Sequence, residues 1–308
     1  MRRILVSGLI NIETTLLVED FPIVYEPVRF PFFGIQSSVS GVGYNVAKAL
    51  TVLGDDVRLL SLIGEDMAGR LVLDSLAADG IPGERVITTL HQTPQSAILY
   101  DRTGRRAINT DLKDIQDAAY PADRFDEAIK GAGLAALCNI NFSRPFLARA
   151  QALGVPIATD VHTIADLEDP DNHDFMVAAS ILFMSDESVP CTAEAWVHRI
   201  WDRYEAEVVV VGLGAQGALL GVRRDNFLER LPAVRTRPVV STLGAGDALF
   251  SAFLHHYAAS GDPYAALQRA MVFASYKIGE ASASQGFLDE AALEEICAAT
   301  GATRSVGG

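Results

Sequence analysis

Residues 241–247, Ser-Thr-Leu-Gly-Ala-Gly-Asp, have the residue types and spacing of a phosphoryl-transfer site. Gly244 and Gly246 allow a tight turn whose N–H groups point into one concavity, and the helix predicted to follow adds its positive N-terminal end. Such a concavity suits a phosphoryl group, whose charge lies on its non-bridging oxygens. Asp247 places a carboxylate beside it, where a hydroxyl can transfer its proton. The alternative is structural, with glycines that allow close packing and an Asp247 that only caps the helix.

Three other segments combine glycines with polar residues at the ends of predicted elements. They are residues 40–47 (Ser-Gly-Val-Gly-Tyr-Asn-Val-Ala), 63–69 (Ile-Gly-Glu-Asp-Met-Ala-Gly, after Leu53-Gly54) and 211–218 (Val-Gly-Leu-Gly-Ala-Gln-Gly-Ala). Each is a weak signal alone, because short glycine motifs occur in many unrelated proteins. The informative observation is their order along the chain.

In this order the four segments resemble the signatures of ribokinase-like kinases, the PfkB carbohydrate kinase family. Residues 241–247 resemble the family's Asp-Thr-x-Gly-Ala-Gly-Asp signature, and residues 40–47 resemble its Gly-Gly-x-Gly-x-Asn signature. The resemblance implies transfer of the γ-phosphoryl group of ATP, with Mg²⁺, to a hydroxyl of a sugar or nucleoside. It implies Asp247 as the catalytic base and Gly244, Ala245 and Gly246 as an anion hole. It places Thr242, Gly214, Gly217 and Ser185 beside the nucleotide, and Asn11, Glu13, Gly41, Gly43 and Asn45 beside the acceptor.

The chain departs from the family pattern at three places. Ser241 replaces the first Asp of the signature, so we expect activity to respond weakly to K⁺. The nearest counterpart of the family's Asn-x-x-Glu motif is residues 184–188, where Asp186 or Glu187 reaches Mg²⁺ through water or the two acids simply begin a helix. We take Glu187 as the candidate metal ligand. Glu13 stands where Asp is usual, and its extra methylene predicts a different acceptor.

Apolar strands alternate with helices along most of the chain. This pattern predicts an α/β fold, a ribokinase-like three-layer sandwich with a mostly parallel central sheet. Two segments lack a helical period, the proline- and β-rich residues 13–40 and the hairpin of residues 96–110, and these predict a small β-lid. We therefore expect one domain over residues 1–300, with this lid, and a frayed tail over residues 301–308.

Several other polar residues are weaker candidates. Asp160 and His162 follow a strand end, where α/β sheets place ligands, although such a histidine is more often a loop residue. Arg102, Arg105 and Arg106 could meet phosphate at the hairpin tip, although charges there are usually only solvated. His255 and His256 lack metal-ligand spacing, so we interpret them as structural.

Composition restricts the partners and the location. The net charge of 25 − 39 = −14 disfavours nucleic-acid binding. Three separated cysteines predict no disulfide framework, and the chain lacks a signal-peptide core and an apolar run of membrane-spanning length, so we expect a cytoplasmic protein. Exposed lid edges predict a possible homodimer. Two alternatives stay open, a vitamin or hydroxymethylpyrimidine kinase of the same fold and a non-catalytic ligand-binding descendant.

Overall fold

The computed structural model describes residues 2–301, which form strands and helices in alternation over most of their length. The strands are β1 (Arg3–Ser7), β2 (Asn11–Leu17), β3 (Ile35–Ser40), β4 (Asp56–Gly64), β5 (Val86–Leu90), β6 (Gln95–Tyr100), β7 (Arg106–Asp111), β8 (Leu134–Leu137), β9 (Ile157–Thr163), β10 (Ile181–Ser185), β11 (Val208–Gly212), β12 (Ala218–Val222) and β13 (Phe227–Leu231). The α-helices are α1 (Val42–Val52), α2 (Met67–Ala78), α3 (Ala122–Ala128), α4 (Arg144–Ala152), α5 (His173–Ala178), α6 (Ala193–Arg203), α7 (Ala245–Ser260), α8 (Pro263–Lys277) and α9 (Glu290–Thr300).

The central sheet has the strand order β13-β12-β11-β10-β9-β8-β1-β4-β5 within the described residues. Its strands pair in parallel from β5 across to β11, and β12 and β13 extend it as an antiparallel hairpin at one edge. Strands such as β8 (Leu-Ala-Ala-Leu) are buried along their whole length. A strand covered on both faces has no solvent side, so its sequence is apolar throughout instead of alternating.

Helices cover both faces of this sheet. On one face, α1, α7, α8 and α9 pack in a core that includes Val46, Phe253 and Phe273. On the other face, α3, α4 and α5 surround Phe125 and Phe146, whose rings stack with centroids 4.1 Å apart, and α6 packs on β11 and β12. The predicted ribokinase-like three-layer α/β fold is therefore confirmed.

The predicted β-lid is a separate four-stranded sheet in the order β3-β2-β6-β7. Strand β2 pairs with β3 in antiparallel fashion and with β6 in parallel. The lid strands come from the two segments predicted to form it, while residues 18–34 connect β2 to β3 without strand structure. Because β2 follows β1 after three residues, the lid begins at the carboxyl end of the third strand from the β5 edge of the central sheet.

None of the helices within residues 2–301 is long and apolar enough to cross a membrane. The cytoplasmic location stays a prediction from the sequence. Most of the predicted frayed tail, residues 302–308, lies outside the described residues, and Gly301 ends α9 with a left-handed backbone.

Candidate active site

The predicted anion hole lies at the start of α7. Gly244 precedes the helix with a φ of 70°, and a Cβ at this position would lie 2.6 Å from the carbonyl oxygen of Ala283, so glycine is required here. No side chain among the described residues caps the helix, which leaves N–H groups of its first turn for a ligand. The N–H of Ala245 already donates to the carbonyl oxygen of Thr242 at 3.2 Å. The first turn of α7 thus has the geometry that the predicted anion hole needs, and the N–H of Ala245 already has a hydrogen-bond partner.

Asp247 lies in the first turn of α7 and is hydrogen-bonded across to α1. The amide Nδ2 of Asn45 donates to Asp247 Oδ2 at 2.7 Å. Burial raises the pKa of Asp247 above its usual range, while the Asn45 hydrogen bond and the charge of His162 act to lower it. A carboxylate whose pKa is moved toward neutrality is a better proton acceptor for an alcohol. The geometry therefore fits the role of general base that the sequence predicts.

The predicted acceptor side is formed by the first lid strand and the start of α1. Glu13 is buried, and Ser40 Oγ donates to its Oε2 at 3.2 Å. Burial raises the pKa of Glu13, and the charge of Asp247 adds to this increase. Asn11 Nδ2 donates to Ser96 Oγ at 2.7 Å, but Asn11 Oδ1 is buried without a partner among residues 2–301. An unpaired buried carbonyl oxygen is costly, so it points to a ligand hydroxyl.

Gly41 and Gly43 have a packing role in this structure. Gly41 has a φ of 98°, and a Cβ there would lie 2.6 Å from the carbonyl oxygen of Leu9. A Cβ on Gly43 would lie 2.5 Å from the carbonyl carbon of Gly8. Both glycines therefore let α1 approach the turn after β1, which positions Asn45. Direct binding of the acceptor by these two glycines stays a prediction.

The residues predicted beside the nucleotide surround the loops after β10 and β11. Ser185 ends β10, and its Oγ accepts a hydrogen bond from the N–H of Glu187 at 3.3 Å. Gly214 has a φ of 55°, and nothing lies within 4 Å of a Cβ built there. Gly217 has a φ of 105° and packs so closely on β13 that a Cβ would lie 2.0 Å from the carbonyl oxygen of Leu231. Gly214 is therefore open to a ligand, whereas Gly217 shapes the turn.

Arg106 connects the lid to this nucleotide side. Its Nη1 donates to Thr242 Oγ1 at 2.8 Å, and its Nη2 lies 3.6 Å from Glu187 Oε1. The Glu187 side chain is 64 % exposed, so its carboxylate can also bind a hydrated metal ion. Nothing in the sequence distinguishes Arg106 from the other two hairpin arginines. Arg105 instead donates from Nε to Asp101 Oδ2 at 2.8 Å, and Arg102 is exposed.

Asp160 also comes close to the anion hole. A Cβ on Gly246 would lie 3.8 Å from Asp160 Oδ2. His162 has a φ of 58°, and its N–H donates to Asp160 Oδ1 at 2.8 Å. Both residues act on the pKa of Asp247, after the larger effect of burial: His162 lowers it and Asp160 raises it. The structure thus brings both of these weaker candidates to the edge of the site.

His255 and His256 lie outside this site, toward the other end of α7. His255 Nδ1 lies 2.7 Å from Asp55 Oδ2, and its Nε2 lies 3.0 Å from Glu290 Oε2. The guanidinium of Arg2 lies against the same ring, with Nη2 at 2.9 Å from Nε2. The ligand atoms of His255, His256 and Glu290 lie within 4.8 Å of one another, so their spacing is compatible with a metal ion and the prediction that it is not was wrong. The ion-pair contacts of His255 fit the structural interpretation, which stays a prediction.

Lys277 was not among the residues predicted from the sequence, and the structure places it beside the predicted anion hole. It is the last residue of α8 and is fully buried, and its Nζ donates to the carbonyl oxygen of Leu243. One feature of the sequence could have pointed to it: Lys277 is the one charged residue between positions 270 and 279, in an otherwise uncharged segment.

Comparison with known proteins shows the family to which this chain belongs. The model of the pfkB family carbohydrate kinases matches residues 1–139 and 179–290. Acarbose 7(IV)-phosphotransferase of Actinoplanes sp. is 26 % identical over 292 residues, which cover 94 % of this chain and 96 % of that protein. ATP-dependent ribose-1-phosphate kinase of Halopiger xanaduensis is 27 % identical over 276 residues, covering 88 % and 90 %.

Solved structures show the same fold over nearly the whole chain. The microbiome-derived acarbose kinase Mak1 superposes with a TM-score of 0.86 at 27 % identity, covering 96 % of this chain and 99 % of that one. Ribokinase from Giardia lamblia superposes with a TM-score of 0.83 at 17 % identity, covering 97 % and 99 %. The chain belongs to the pfkB family of carbohydrate kinases. It is accordingly an ATP-dependent phosphotransferase with an alcohol group as acceptor, and kinases of this family use ATP with a divalent metal.

Proposed function

We propose that this kinase phosphorylates a hydroxyl of a neutral sugar or glycoside, with Asp247 as the general base. The observation that carries the proposal is the position of Asp247, which lies in the uncapped first turn of α7 and is held by Asn45 at 2.7 Å. A carboxylate at this position is adjacent both to an anion-binding turn and to the buried polar groups of the lid.

In the proposed reaction, the Asp247 carboxylate accepts the proton of the acceptor hydroxyl as that oxygen forms its bond to the γ-phosphorus. The bond from this phosphorus to the bridging oxygen breaks, and ADP leaves. The N–H groups at the start of α7 stabilise the charge on the transferring group. Bound Mg²⁺ would neutralise charge on the phosphates, and the exposed Glu187 carboxylate would hold the hydrated ion. The lid strands exclude water, which limits wasteful hydrolysis of ATP.

The chemistry of the acceptor side favours a neutral acceptor. Its buried groups are the carboxylate of Glu13, the amides of Asn11 and Asn45, and the hydroxyl of Ser40. Amides and carboxylates suit the hydroxyls of a sugar ring, whereas a carboxylate repels a phosphate group. The relatives named above include a kinase for a phosphorylated sugar, ribose 1-phosphate, and a kinase for acarbose, and this donor set favours the second kind.

An ADP-release assay tests the proposed function. We expect ADP release with Mg²⁺ to rise when a neutral saccharide such as acarbose, maltose or ribose is added, and to stay at the water-only level with ribose 1-phosphate. A nucleoside such as inosine belongs in the same panel, together with a hydroxymethylpyrimidine. Activity only with the phosphorylated sugar or the pyrimidine would contradict the neutral-sugar assignment, and no activity with any acceptor would contradict the kinase assignment.

Arg106 provides a prediction about the nucleotide side. Its guanidinium contacts Thr242 and Glu187, so we propose that it also meets the phosphates of ATP. Arg106→Ala should raise the KM for ATP about tenfold, the effect of a lost hydrogen bond to a charged group. Arg102→Ala is the matched control, because this exposed arginine lies at the tip of the same hairpin. Equal KM values for ATP in the two variants would remove Arg106 from the nucleotide site.

A homodimer through the lid is a further prediction. The segment between β2 and β3 exposes aromatic side chains, including Tyr25 (87 %), Phe32 (85 %) and Phe33 (99 %). An exposed apolar patch of this kind is typical of an interface. The molar mass from light scattering should be about twice that of the chain, and Phe32→Ser with Phe33→Ser should halve it. A monomeric parent would contradict the dimer and leave the kinase assignment unaffected.

A further inference from the structure

Lys277 is a buried charge that the proposed reaction does not yet use. It ends α8, and its residue exposure is 0 %. Helices α7 and α8 form an antiparallel hairpin, because only Gly261 and Asp262 separate them. The end of α8 therefore lies beside the start of α7, and Lys277 reaches the anion hole from there.

The ammonium group of Lys277 is bonded to the turn that forms the anion hole. Its Nζ donates to the carbonyl oxygen of Leu243, the residue before Gly244. Ile278, the residue after Lys277, contacts the same turn. Its carbonyl oxygen accepts hydrogen bonds from the N–H groups of Val240 and Ser241 at 2.8 and 3.1 Å. The end of α8 thus fixes residues 240–243 through three hydrogen bonds.

A cation from solution would find its ligands at this turn already in use. The carbonyl oxygens of Leu243 and Ile278 accept the hydrogen bonds just described. The hydroxyl of Ser241 accepts a hydrogen bond from the N–H of Leu243 at 3.2 Å. Each of these three oxygens therefore has a hydrogen-bond donor without an added ion, and one of the donors is the positive charge of Lys277.

The charges around Lys277 fit a functional role. Burial lowers its pKa to about 8, and the carboxylates of Asp247, Glu13 and Glu280 raise it, while Arg237 lowers it further. The ammonium is therefore mostly protonated at neutral pH. A buried charge is a poor way to stabilise a fold, and an apolar residue of similar volume is often as good or better. The position of Lys277 beside Asp247 and the predicted anion hole therefore favours a role in activity over a role in stability.

We infer that the ammonium group of Lys277 takes the place of a bound monovalent cation in this active site. Its ammonium holds the carbonyl of Leu243 and supplies positive charge next to the turn that binds the transferring phosphoryl group, so that the enzyme needs no K⁺. The inference rests on the proposed roles of Asp247 and of residues 244–246. Lys277 is a positioning residue, because it acts through the turn.

Substitution combined with cation rescue tests this inference. Rates of the parent, Lys277→Met and Lys277→Ala are compared in K⁺, NH₄⁺ and tetramethylammonium at equal ionic strength, with the exposed Lys130→Ala as control. We expect the parent and the control to be equally active in all three salts. Lys277→Met should lose about 10²-fold in kcat, as when one stabilising group of an anion hole is removed, with a melting temperature no lower than that of the parent. Lys277→Ala should show a similar loss that NH₄⁺ or K⁺, but not tetramethylammonium, partly restores.

The melting temperature gives a second readout that does not need turnover. NH₄⁺ or K⁺ should raise the melting temperature of Lys277→Ala relative to tetramethylammonium, and should not change that of the parent. A parent that requires K⁺, a fully active Lys277→Met, or an Lys277→Ala that neither regains rate nor gains stability in NH₄⁺ would overturn the inference. If the parent phosphorylates no acceptor, the proposed function fails, and this shift in melting temperature still decides the role of Lys277.

Discussion

Asp247→Asn should lower kcat by roughly 10²- to 10⁴-fold, the contribution of general base catalysis, with little change in the affinity for ATP. Asparagine has the same shape and can keep a hydrogen bond to Asn45, which now donates to Asp247 Oδ2 at 2.7 Å. It cannot accept the proton of the acceptor hydroxyl. Single-turnover phosphorylation measures the loss, and titration with a non-hydrolysable ATP analogue measures nucleotide binding. Near-normal turnover in the variant would contradict the assigned mechanism.

The pH dependence of the parent provides a check on the same residue. Burial raises the pKa of Asp247, so kcat/KM should fall as the pH drops through a value above the ordinary range of an aspartate. The hydrogen bond from Asn45 favours the charged form and lowers this pKa. Asn45→Ala should therefore shift the acid limb of the profile to higher pH. A limb that does not move in Asn45→Ala would show that another group controls it.

The layered fold was predictable because its signals are local and repeated. Strands such as β8 and β11 are continuous apolar runs, and the helices between them carry one buried face. Strand β13 carries no such signal, because its sequence Phe-Leu-Glu-Arg-Leu contains only half-buried and exposed residues at the edge of the sheet. Helix α8 is also difficult to predict, because it packs against α7 and α9 and is buried on several sides. A helix buried on several faces has no clear amphipathic period.

Residues 244–247 of the candidate site could be identified from the sequence because they form one motif. Contacts between side chains from distant positions could not. Asn45 and Asp247 are 202 positions apart, and only the fold brings them to 2.7 Å. Lys277 reaches Leu243 because α7 and α8 pair as a hairpin, which no spacing in the sequence shows. The contact of Gly43 with the acceptor stays a prediction, and its close packing on the backbone of Gly8 could not be foreseen from the motif. Motifs identify residues that a turn requires; they do not say what packs against that turn.

The acceptor should be rejected strongly when it lacks a hydroxyl that the lid strand binds. Asn11 Oδ1 is buried and without a partner among the described residues, and Glu13 is buried with Ser40 as its hydrogen-bond donor. Both side chains offer oxygens that need donors, and a sugar hydroxyl supplies one. A deoxy analogue leaves such a group unpaired, so kcat/KM should fall on the order of 10⁴-fold for the analogue that lacks the contacted hydroxyl. Measuring kcat/KM for each monodeoxy analogue identifies the contacted hydroxyl as the one whose removal causes the largest decrease.

Glu13→Gln assigns this selectivity to a residue. Glutamine keeps the size of the side chain and replaces the carboxylate with a weaker acceptor, so the KM for the acceptor should rise about 10- to 100-fold, the range for a hydrogen bond to a charged group. The KM for ATP should stay unchanged, because Glu13 lies in β2 and its hydrogen-bond partner Ser40 is on the acceptor side. Glu19→Gln, an exposed position just beyond the same strand, is the matched control. If both variants bind the acceptor like the parent, Glu13 serves only the lid sheet, and the preference for a particular hydroxyl must come from Asn11.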